Sequence, residues 1–176
     1  MSSVSPFLRP LAEDEIEIIR TIEKEARSRY RALGGFLTRA ADGPAIAAER
    51  FADGEAIVAE LLGKPIGFVL FKPLDELLYV ASVAVSPEAA GVGIGRLLMI
   101  GAERRAQQLK VAGLSLTTFR IPPWNGPWFR SQDYLSIPEE RIGSGLRAIL
   151  DRHATFHDMS RRETLWKPIA SCSTGG

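Results

Sequence analysis

One junction constrains this chain more than any other stretch: VAVSPEAAGVGIGRLLMIGAERRAQQ, which runs from Val83 to Gln108. Its apolar start is typical of a strand, glycines then occupy every second position, and the remainder has the spacing of an amphipathic helix. A glycine loop between a strand and a helix leaves backbone N–H groups unpaired, and the first N–H groups of the helix lack intrahelical acceptors. The helix dipole adds positive potential at the same place. The junction therefore predicts a binding site for an anion such as a phosphate.

Two common phosphate-binding patterns do not fit this loop. The dinucleotide pattern requires G-x-G-x-x-G, but its third glycine would fall on Arg96 or Leu98. A P-loop ends in Gly-Lys-Ser/Thr, whereas Gly95 is followed by Arg96 and Leu97. A nucleotide-phosphate binder of another fold, which would be stabilised by ATP or NAD, is therefore the less favoured alternative.

The flanking pattern mixes strands and helices. The predicted strands are Val4–Arg9, Ala56–Leu61, Ile66–Phe71, Leu77–Val85, Leu114–Phe119 and Glu163–Lys167. Helices are predicted over a stripe of Ile18, Ile22, Ala26, Tyr30 and Leu33, over Ala45–Phe51, after Gly95 and over Ser144–Phe156, with a loop at Gly35–Pro44. Gly63-Lys64 is predicted to turn a hairpin. This order indicates a mixed sheet flanked by helices in one domain.

Composition excludes several classes of protein. The chain has 176 residues, 45% of them hydrophobic and 24% charged, with a formal net charge of +1, and no basic block suggests nucleic-acid binding. Cys172 is the lone cysteine, so neither disulfides nor a zinc pattern are expected. The N-terminus lacks a signal-peptide pattern and no apolar run approaches twenty residues. These features predict a cytoplasmic protein that spans no membrane.

The glycine junction resembles one known motif. VSPEAAGVGIGRLLM, between a strand and an amphipathic helix, resembles the acyl-CoA-binding motif of the GNAT superfamily of acetyl-CoA-dependent N-acyltransferases. That family's pattern is Arg or Gln, two residues, Gly, one residue, then Gly or Ala. Gly93 and Gly95 occupy the small positions, whereas Ala90 stands at the Arg or Gln position. The resemblance therefore implies weakened coenzyme binding, with Arg96 the candidate to supply part of the missing charge.

A second segment, PPWNGPWFRSQDY, extends the resemblance. It looks like the later family motif, in which an Asn is followed by an aromatic pair and then by Gly-Phe. The matching residues are Asn125, then Trp128 with Phe129, then Asp133 with Tyr134. The resemblance covers most of the chain from about Ala56 to Lys167.

The resemblance implies an α+β fold with a GNAT-like mixed, mostly antiparallel sheet flanked by helices. Residues 1–170 are expected to form the single domain, and 171–176 a flexible tail. Acetyl-CoA, or another acyl-CoA, is the implied co-substrate, and no metal is expected. The residues implied in coenzyme binding are Val83, Ala84, Val85, Ala90, Gly91, Val92, Gly93, Ile94, Gly95, Arg96, Asn125 and Phe129.

The implied reaction is attack of an amine on the thioester of acetyl-CoA. Backbone N–H groups at Val83 to Val85 are the implied stabilisers of the oxyanion. An amine of pKa about 10.4 must first lose a proton. Family members often carry a Glu on the long strand, but here Ser82 is the side chain able to order a water. Glu60 and Glu76 are alternative bases, with an exposed structural role as the competing interpretation.

The leaving thiolate raises a second question. Family members commonly protonate it with a Tyr, and counting back five residues from Tyr134 puts Phe129 at that position. Phenylalanine has no proton to give, and loss of a general acid costs roughly 10²- to 10⁴-fold in rate. Tyr134 is the remaining candidate acid, with core packing as the alternative.

The acceptor pocket is less defined. Glu23 and Tyr30 lie on the first helix, where the family often lines its acceptor site, while Trp124 and Trp128 either wall a substrate pocket or pack in the core. The acceptor is a small-molecule or peptide amine of open identity, and a homodimer is left open. A catalytically weak or inactive acyl-CoA-binding regulatory module is the alternative function, favoured by Ala90 and Phe129.

Two histidines have a spacing found among metal ligands. His153 and His157 are four residues apart and share a helix face, a spacing that also suits a metal ion. No third ligand accompanies them, so the sequence favours solvated or partner-facing histidines.

Overall fold

The computed structural model describes residues 5–170; Val4 and the tail at 171–176 lie outside the described residues. Its strands are β1 (Phe7–Pro10), β2 (Glu55–Leu61), β3 (Lys64–Leu74), β4 (Leu77–Val85), β5 (Gly113–Phe119), β6 (Leu135–Ser136) and β7 (Arg162–Pro168). Its α-helices are α1 (Ile16–Arg27), α2 (Phe36–Asp42), α3 (Glu49–Ala52), α4 (Ile94–Leu109), α5 (Gly126–Ser131) and α6 (Ser144–Ala154). Across residues 5–170, no helix is long and apolar enough to cross a bilayer.

The strands form one sheet in the order β1-β2-β3-β4-β5-β7-β6. β4 and β5 are parallel, which requires a crossover connection, and α4 lies between them in the chain. The β1–β2, β2–β3, β5–β7 and β6–β7 pairs are antiparallel. The predicted α+β fold with a mixed, mostly antiparallel sheet is confirmed.

The hairpin between β2 and β3 turns at Leu62 and Gly63, one residue earlier than predicted. Leu61 pairs with Lys64, and the two residues between them have φ values of 53° and 75°. Two consecutive positive φ angles give the twist that a two-residue hairpin needs. Leu62 accepts this conformation although it is not glycine.

The described chain divides into two compact units. One contains Ser82–Ala102 with the described part of Met1–Phe71, and the other contains Lys72–Ala81 with the described part of Glu103–Gly176. The two are called the first and second units below. A single domain over residues 1–170 stays a prediction.

In the first unit, close backbone approach fixes the end of β4. A Cβ on Gly67 of β3 would lie 2.9 Å from the carbonyl oxygen of Ala84 and 3.2 Å from Leu98 of α4. Ser86, just past β4, is buried, and its N–H donates to the carbonyl of Ile66 at 2.9 Å. The end of β4 and the start of α4 are therefore packed directly against β3.

The predicted stripe on the first helix is partly wrong. Ile22 and Tyr30 are buried, but Ile18 and Leu33 are 49% and 47% exposed, and Ile19 is the fully buried residue instead. The α-helix ends at Arg27 and a 3₁₀ helix follows at Ser28–Leu33. Because its period is three residues, the spacing of an α-helix does not continue through it.

The loop predicted at Gly35–Pro44 is wrong for most of its length, because α2 occupies Phe36–Asp42. Gly34 and Gly35 have φ values of 66° and 59°, which end the preceding 3₁₀ helix and redirect the chain into a new one. Leu37 and Ala41, four residues apart, bury one face of this helix. The predicted helix at Ala45–Phe51 shortens to α3.

In the second unit, α6 packs on the sheet through Leu146 and Ile149, which form a cluster with Tyr79 of β4. Asp75, between β3 and β4, fixes the start of this helix. Its two carboxylate oxygens accept hydrogen bonds from the N–H groups of Gly145 and Leu146, both at 2.9 Å. These bonds satisfy backbone donors that a helix start leaves without partners.

Candidate functional site

The glycine turn, residues 90–96, follows β4 and the 3₁₀ helix Pro87–Ala89 and includes the first three residues of α4. Gly91 and Gly93 have φ values of 80° and 91°, the left-handed region that glycine enters without steric cost. Ile94 begins α4 and is 4% exposed, so it anchors the turn to the core of the first unit. The two alternating glycines thus supply left-handed backbone directly before the helix begins.

The backbone N–H groups of the glycine turn are uncommitted. Ala90 N–H donates to the Pro87 carbonyl at 3.3 Å, and Leu97 N–H donates to the Gly93 carbonyl at 3.0 Å. Between these two bonds, no N–H group from Gly91 to Arg96 donates to a backbone carbonyl in the part of the chain that the structure describes. A diphosphate, with several acceptor oxygens, fits such a row of donors at a helix start.

The space around the glycine turn is open. A Cβ added at Gly91 or at Gly93 would meet no heavy atom within 4 Å. Ala90 and Arg96 are exposed, and the Val92 side chain is 73% exposed. The glycines are therefore not explained by tight packing, and the donors are accessible to a ligand.

The last residues of β4 belong to the same unit as the glycine turn. Ala84 is buried, whereas Ser82, Val83 and Val85 are half-buried. Their side chains are apolar apart from Ser82, so any stabilisation of an oxyanion here would come from backbone N–H groups.

Glu60 of β2 is engaged in an ion-pair network. Its carboxylate accepts from Arg9 Nε at 2.5 Å, and Arg9 Nη2 lies 2.6 Å from Glu15. Its hydrogen bonds to the carboxylates of Glu15 and Glu60 raise the pKa of Arg9 above its usual value, and the bond donated by Arg9 lowers the pKa of Glu15. Glu76, the other alternative base, is 84% exposed and lies 3.8 Å from Arg141.

Glu23 and Tyr30, predicted to line the acceptor pocket, both have structural contacts. Glu23 Oε1 lies 2.6 Å from Arg27 Nε, and Glu23 Oε2 accepts from the N–H of Ile46 at 3.1 Å. Tyr30 is 8% exposed. Glu23 therefore fastens α1 to the loop before α3, and lining of the pocket stays a prediction.

The segment Asn125–Tyr134, called the α5 segment below, is packed through its aromatic side chains. Phe129 is 5% exposed, and its ring lies 4.9 Å from that of Trp128 and 5.6 Å from that of Tyr134, both edge-to-face. Trp124, just before the segment, is half-buried, as is Trp128. Asn125 Nδ2 donates to Thr118 Oγ1 of β5 at 3.0 Å.

Tyr134 is placed in the core. Its side chain is 1% exposed, and its hydroxyl has no hydrogen-bond partner among the described residues. Burial raises the pKa of Tyr134 above its usual value, and the carboxylate of Glu103 raises it further. A buried phenol with a raised pKa is a poor proton donor, so the structure favours the core-packing alternative.

The α5 segment also contacts a residue that the sequence did not single out. Glu163 of β7 lies opposite Thr118 of β5, and its side chain is 9% exposed. Its Oε2 accepts from Arg130 Nη2 of α5 at 2.6 Å. Only the pairing of β5 with β7, which places Glu163 opposite Thr118, identifies this residue. No local sequence pattern around Glu163 does so.

The two histidines of α6 and its C-terminal end lie among aromatic residues. The rings of His153 and His157 are 6.0 Å apart, and the His157 ring is 6.3 Å from that of Phe119. Burial and the positive charge of Arg162 lower the pKa of His157. No group of three metal-binding side chains that could hold an ion occurs among residues 5–170.

Comparisons with known proteins agree with this geometry. The fold is similar to that of the ribosomal-protein-S18-alanine N-acetyltransferase from Escherichia coli, with a TM-score of 0.67, 13% identity, and coverage of 98% of this chain and 99% of that chain. It is also similar to the paia N-acetyltransferase from Thermoplasma acidophilum in complex with coenzyme A, with a TM-score of 0.66, 14% identity, and 93% and 99% coverage.

A third similar structure is the N-acetylglutamate synthase from Neisseria gonorrhoeae, complexed with coenzyme A and N-acetyl-glutamate. Its TM-score is 0.67 at 14% identity, and the match covers 96% of this chain but 36% of that chain. Identities this low support the fold alone. Residues 17–121, more than half of the chain, match the acetyltransferase (GNAT) family. The chain therefore belongs to the GNAT family of acetyltransferases.

Proposed function

We propose that the protein is an N-acetyltransferase that moves the acetyl group of acetyl-CoA to an amine, holding the coenzyme diphosphate on the glycine turn. Family membership supports acyl transfer from acetyl-CoA to an amine in general. The observation that carries the proposal is the row of uncommitted N–H groups from Gly91 to Arg96, beside open space at both positive-φ glycines. An anion bound there would gain several hydrogen bonds without displacing a protein acceptor.

The end of β4 is suited to the acyl group. In the proposed reaction the amine nitrogen attacks the thioester carbonyl, the carbon–sulfur bond breaks, and the sulfur leaves as a thiolate. Negative charge grows on the carbonyl oxygen, and backbone N–H groups at Val83 to Val85 are the proposed donors. Pantetheine amides would pair with the same strand as an added strand does.

Proton transfer relies on few side chains. Ser82, half-buried on β4, is the proposed site for a water that accepts the proton of the amine. Glu60 is a less suitable base because its carboxylate is already bound to Arg9. Phe129 supplies no acid and the Tyr134 hydroxyl is buried. We therefore propose that the thiolate leaves without a side-chain acid, which a thiol of pKa about 8.5 tolerates.

A second function has specific support: an acyl-CoA-binding module with little or no turnover. Ala90 removes the basic or amide side chain of the family pattern, and Phe129 replaces its usual acid. A thiol-release assay with a panel of amines, beside a direct binding measurement, separates the two functions. Thiol release with any amine supports the enzyme, while tight binding without turnover on every acceptor favours the module.

The binding half of the proposal is tested at Gly93. Both Gly93→Ala and Gly93→Asp place an L-residue at a φ of 91°, where a Cβ would meet no heavy atom within 4 Å, so the pair differs mainly in the carboxylate. We expect Gly93→Asp to weaken acetyl-CoA binding about 100-fold more than Gly93→Ala, roughly 2.7 kcal/mol. Calorimetry and thermal protection by acetyl-CoA measure this difference.

Equal binding by the two Gly93 variants would contradict the assignment of the coenzyme to the glycine turn.

We also propose that the protein is located in the cytoplasm. The basis is that its sequence contains a single cysteine, which fits a reducing compartment.

A further inference from the structure

One serine stands between β4 and the glycine turn. At neutral pH, Ser86 carries the only hydrogen-bond donor among the side chains of VAVSPEAAGVGIG, residues 83–95. It follows the last residue of β4 and precedes the 3₁₀ helix Pro87–Ala89. The side chain of Ala90 offers no donor, and its N–H is already bonded to a backbone carbonyl. Before Arg96, side-chain help to an anion on this stretch therefore has to come from Ser86.

The backbone of Ser86 is held on both sides. Its N–H donates to the carbonyl of Ile66 in β3 at 2.9 Å, and its carbonyl accepts from the N–H of Ala89 at 3.0 Å. The residue is 6% exposed. With the backbone fixed, the hydroxyl oxygen has only the staggered χ1 positions of a serine side chain available.

The Ser86 hydroxyl has no hydrogen-bond partner within residues 5–170. A serine at the start of a helix commonly accepts from an N–H of the first turn, but Ser86 makes no such bond. In this part of the chain, the hydroxyl oxygens that are fully buried without a partner belong to Ser115, Thr117 and Tyr134. Ser86 Oγ is not one of them, so the small exposed part of the residue includes its hydroxyl oxygen. A polar ligand can therefore reach it.

The state of this hydroxyl is explained by a partner from outside the chain. Removing a hydroxyl from water without giving it a partner costs about 1–3 kcal/mol, and most buried polar groups have a partner. The uncommitted N–H groups from Gly91 to Arg96 follow in the same stretch of the first unit, Ser82–Ala102. The ligand proposed for them is an anion, and a bond from a hydroxyl to a charged oxygen is stronger than one to a neutral oxygen.

We propose that the Ser86 hydroxyl donates a hydrogen bond to the coenzyme diphosphate, in place of the side-chain donor that Ala90 lacks. The inference rests on the proposed function, in which pantetheine pairs with β4 and the diphosphate binds the glycine turn. Because Ser86 lies between these two elements in the chain, its acceptor is a diphosphate oxygen on the pantetheine side. The bond therefore contributes to the affinity for coenzymes that contain the diphosphate and not to the affinity for pantetheine.

The test substitutes Ser86→Ala, which removes only the hydroxyl. We expect the Kd for coenzyme A, measured by calorimetry, to rise about 5- to 20-fold. Dephospho-coenzyme A, which keeps the diphosphate but lacks the phosphate on the ribose, should show the same rise. The affinity for pantetheine, measured by competition, should stay within about twofold. The KM for acetyl-CoA should rise in parallel with the Kd, while kcat stays within about twofold.

Ser115→Ala is the matched control. It makes the same substitution at a serine of β5 in the second unit, which is 0% exposed and whose hydroxyl also has no partner among the described residues. We expect its Kd for coenzyme A to stay within about twofold of that of the unsubstituted protein. Without ligand, neither variant should unfold at a lower temperature, because neither hydroxyl has a bond to lose. A structural role for Ser86 would instead lower the unfolding temperature of the ligand-free protein.

The inference is overturned if Ser86→Ala binds coenzyme A as tightly as the unsubstituted protein does, or if it weakens pantetheine as much as coenzyme A. An unchanged affinity for dephospho-coenzyme A would also overturn it, because the bond would then go to the ribose phosphate. Failure of the proposed function looks different, because then Gly93→Asp would bind coenzyme A as tightly as Gly93→Ala.

Discussion

The glycine turn and the α5 segment both belong to the motifs that suggested a coenzyme, yet they are built in opposite ways. The glycine turn presents uncommitted backbone N–H groups, with Val92 73% exposed and no heavy atom near the Cβ positions of Gly91 and Gly93. The α5 segment buries Phe129 and Tyr134 and commits the Asn125 side chain to Thr118. One region is organised to receive a ligand, while the other is organised to stabilise its unit.

This difference has an energetic consequence. Buried aromatic side chains contribute to folding through the area that they remove from water and through their ring contacts. Exposed side chains on a turn contribute little to the free energy of folding. Substitutions on the glycine turn are therefore expected to change ligand binding more than stability. Substitutions in the two regions should therefore act on different measurable quantities.

The largest expected effect on stability is in the α5 segment. Phe129→Ala removes a 5% exposed ring between Trp128 and Tyr134 and should lower the free energy of unfolding by about 3–5 kcal/mol. Val92→Ala, on the glycine turn, should change it by less than about 0.5 kcal/mol. Urea unfolding of both variants measures the contrast. A Phe129→Ala cost below about 1 kcal/mol would show that the α5 segment does not stabilise its unit.

A smaller effect is expected at the first position of the glycine turn. Ala90 is exposed, with φ −71° and ψ 146°, which any residue can adopt. Ala90→Gln restores a side-chain donor at the Arg or Gln position of the family pattern and should tighten coenzyme A binding about three- to tenfold, roughly 0.7–1.4 kcal/mol. Ala90→Leu, of similar size but without a donor, is the control. Equal affinities for the two variants would mean that the turn binds without side-chain help from this position.

The smallest effect is expected at Tyr134. Its hydroxyl is buried and unpartnered among the described residues, so Tyr134→Phe removes a group that costs desolvation and gains no bond. Stability should stay within about 1 kcal/mol of the unsubstituted protein, and kcat within twofold. A fall in kcat of roughly 10²-fold or more would instead identify Tyr134 as the general acid.

The sequence predicted the glycine turn, which depends on backbone conformation, better than the α5 segment, which depends on side-chain contacts. The reason is physical. The bounds predicted for β4, Leu77–Val85, agree with the structure, and the glycine loop predicted between this strand and the next helix is a turn with positive φ angles at Gly91 and Gly93. Glycine spacing, strand alternation and helix periodicity are local signals. They specify a turn without reference to the rest of the chain.

Side-chain roles depend on partners distant in sequence. Arg9 is 51 residues from Glu60, and the Ile46 N–H is 23 residues from Glu23, so neither contact was visible in a local pattern. Glu163 is 33 residues from Arg130 and was missed for the same reason. The sequence did not predict strand β6, because two residues are too few to show an alternating pattern. It did not predict helix α2, because this short helix lies between Gly35 and Gly43, which are typical of a loop.

The most direct test of the central claim follows the backbone amide resonances of residues 91–96 by NMR while coenzyme A is added. The account predicts that these resonances shift the most and that their hydrogen exchange slows, because the N–H groups then donate to the diphosphate. Pantetheine, which lacks the diphosphate, should leave them unchanged. Coenzyme A binding that leaves the amides from Gly91 to Arg96 unperturbed would contradict the claim.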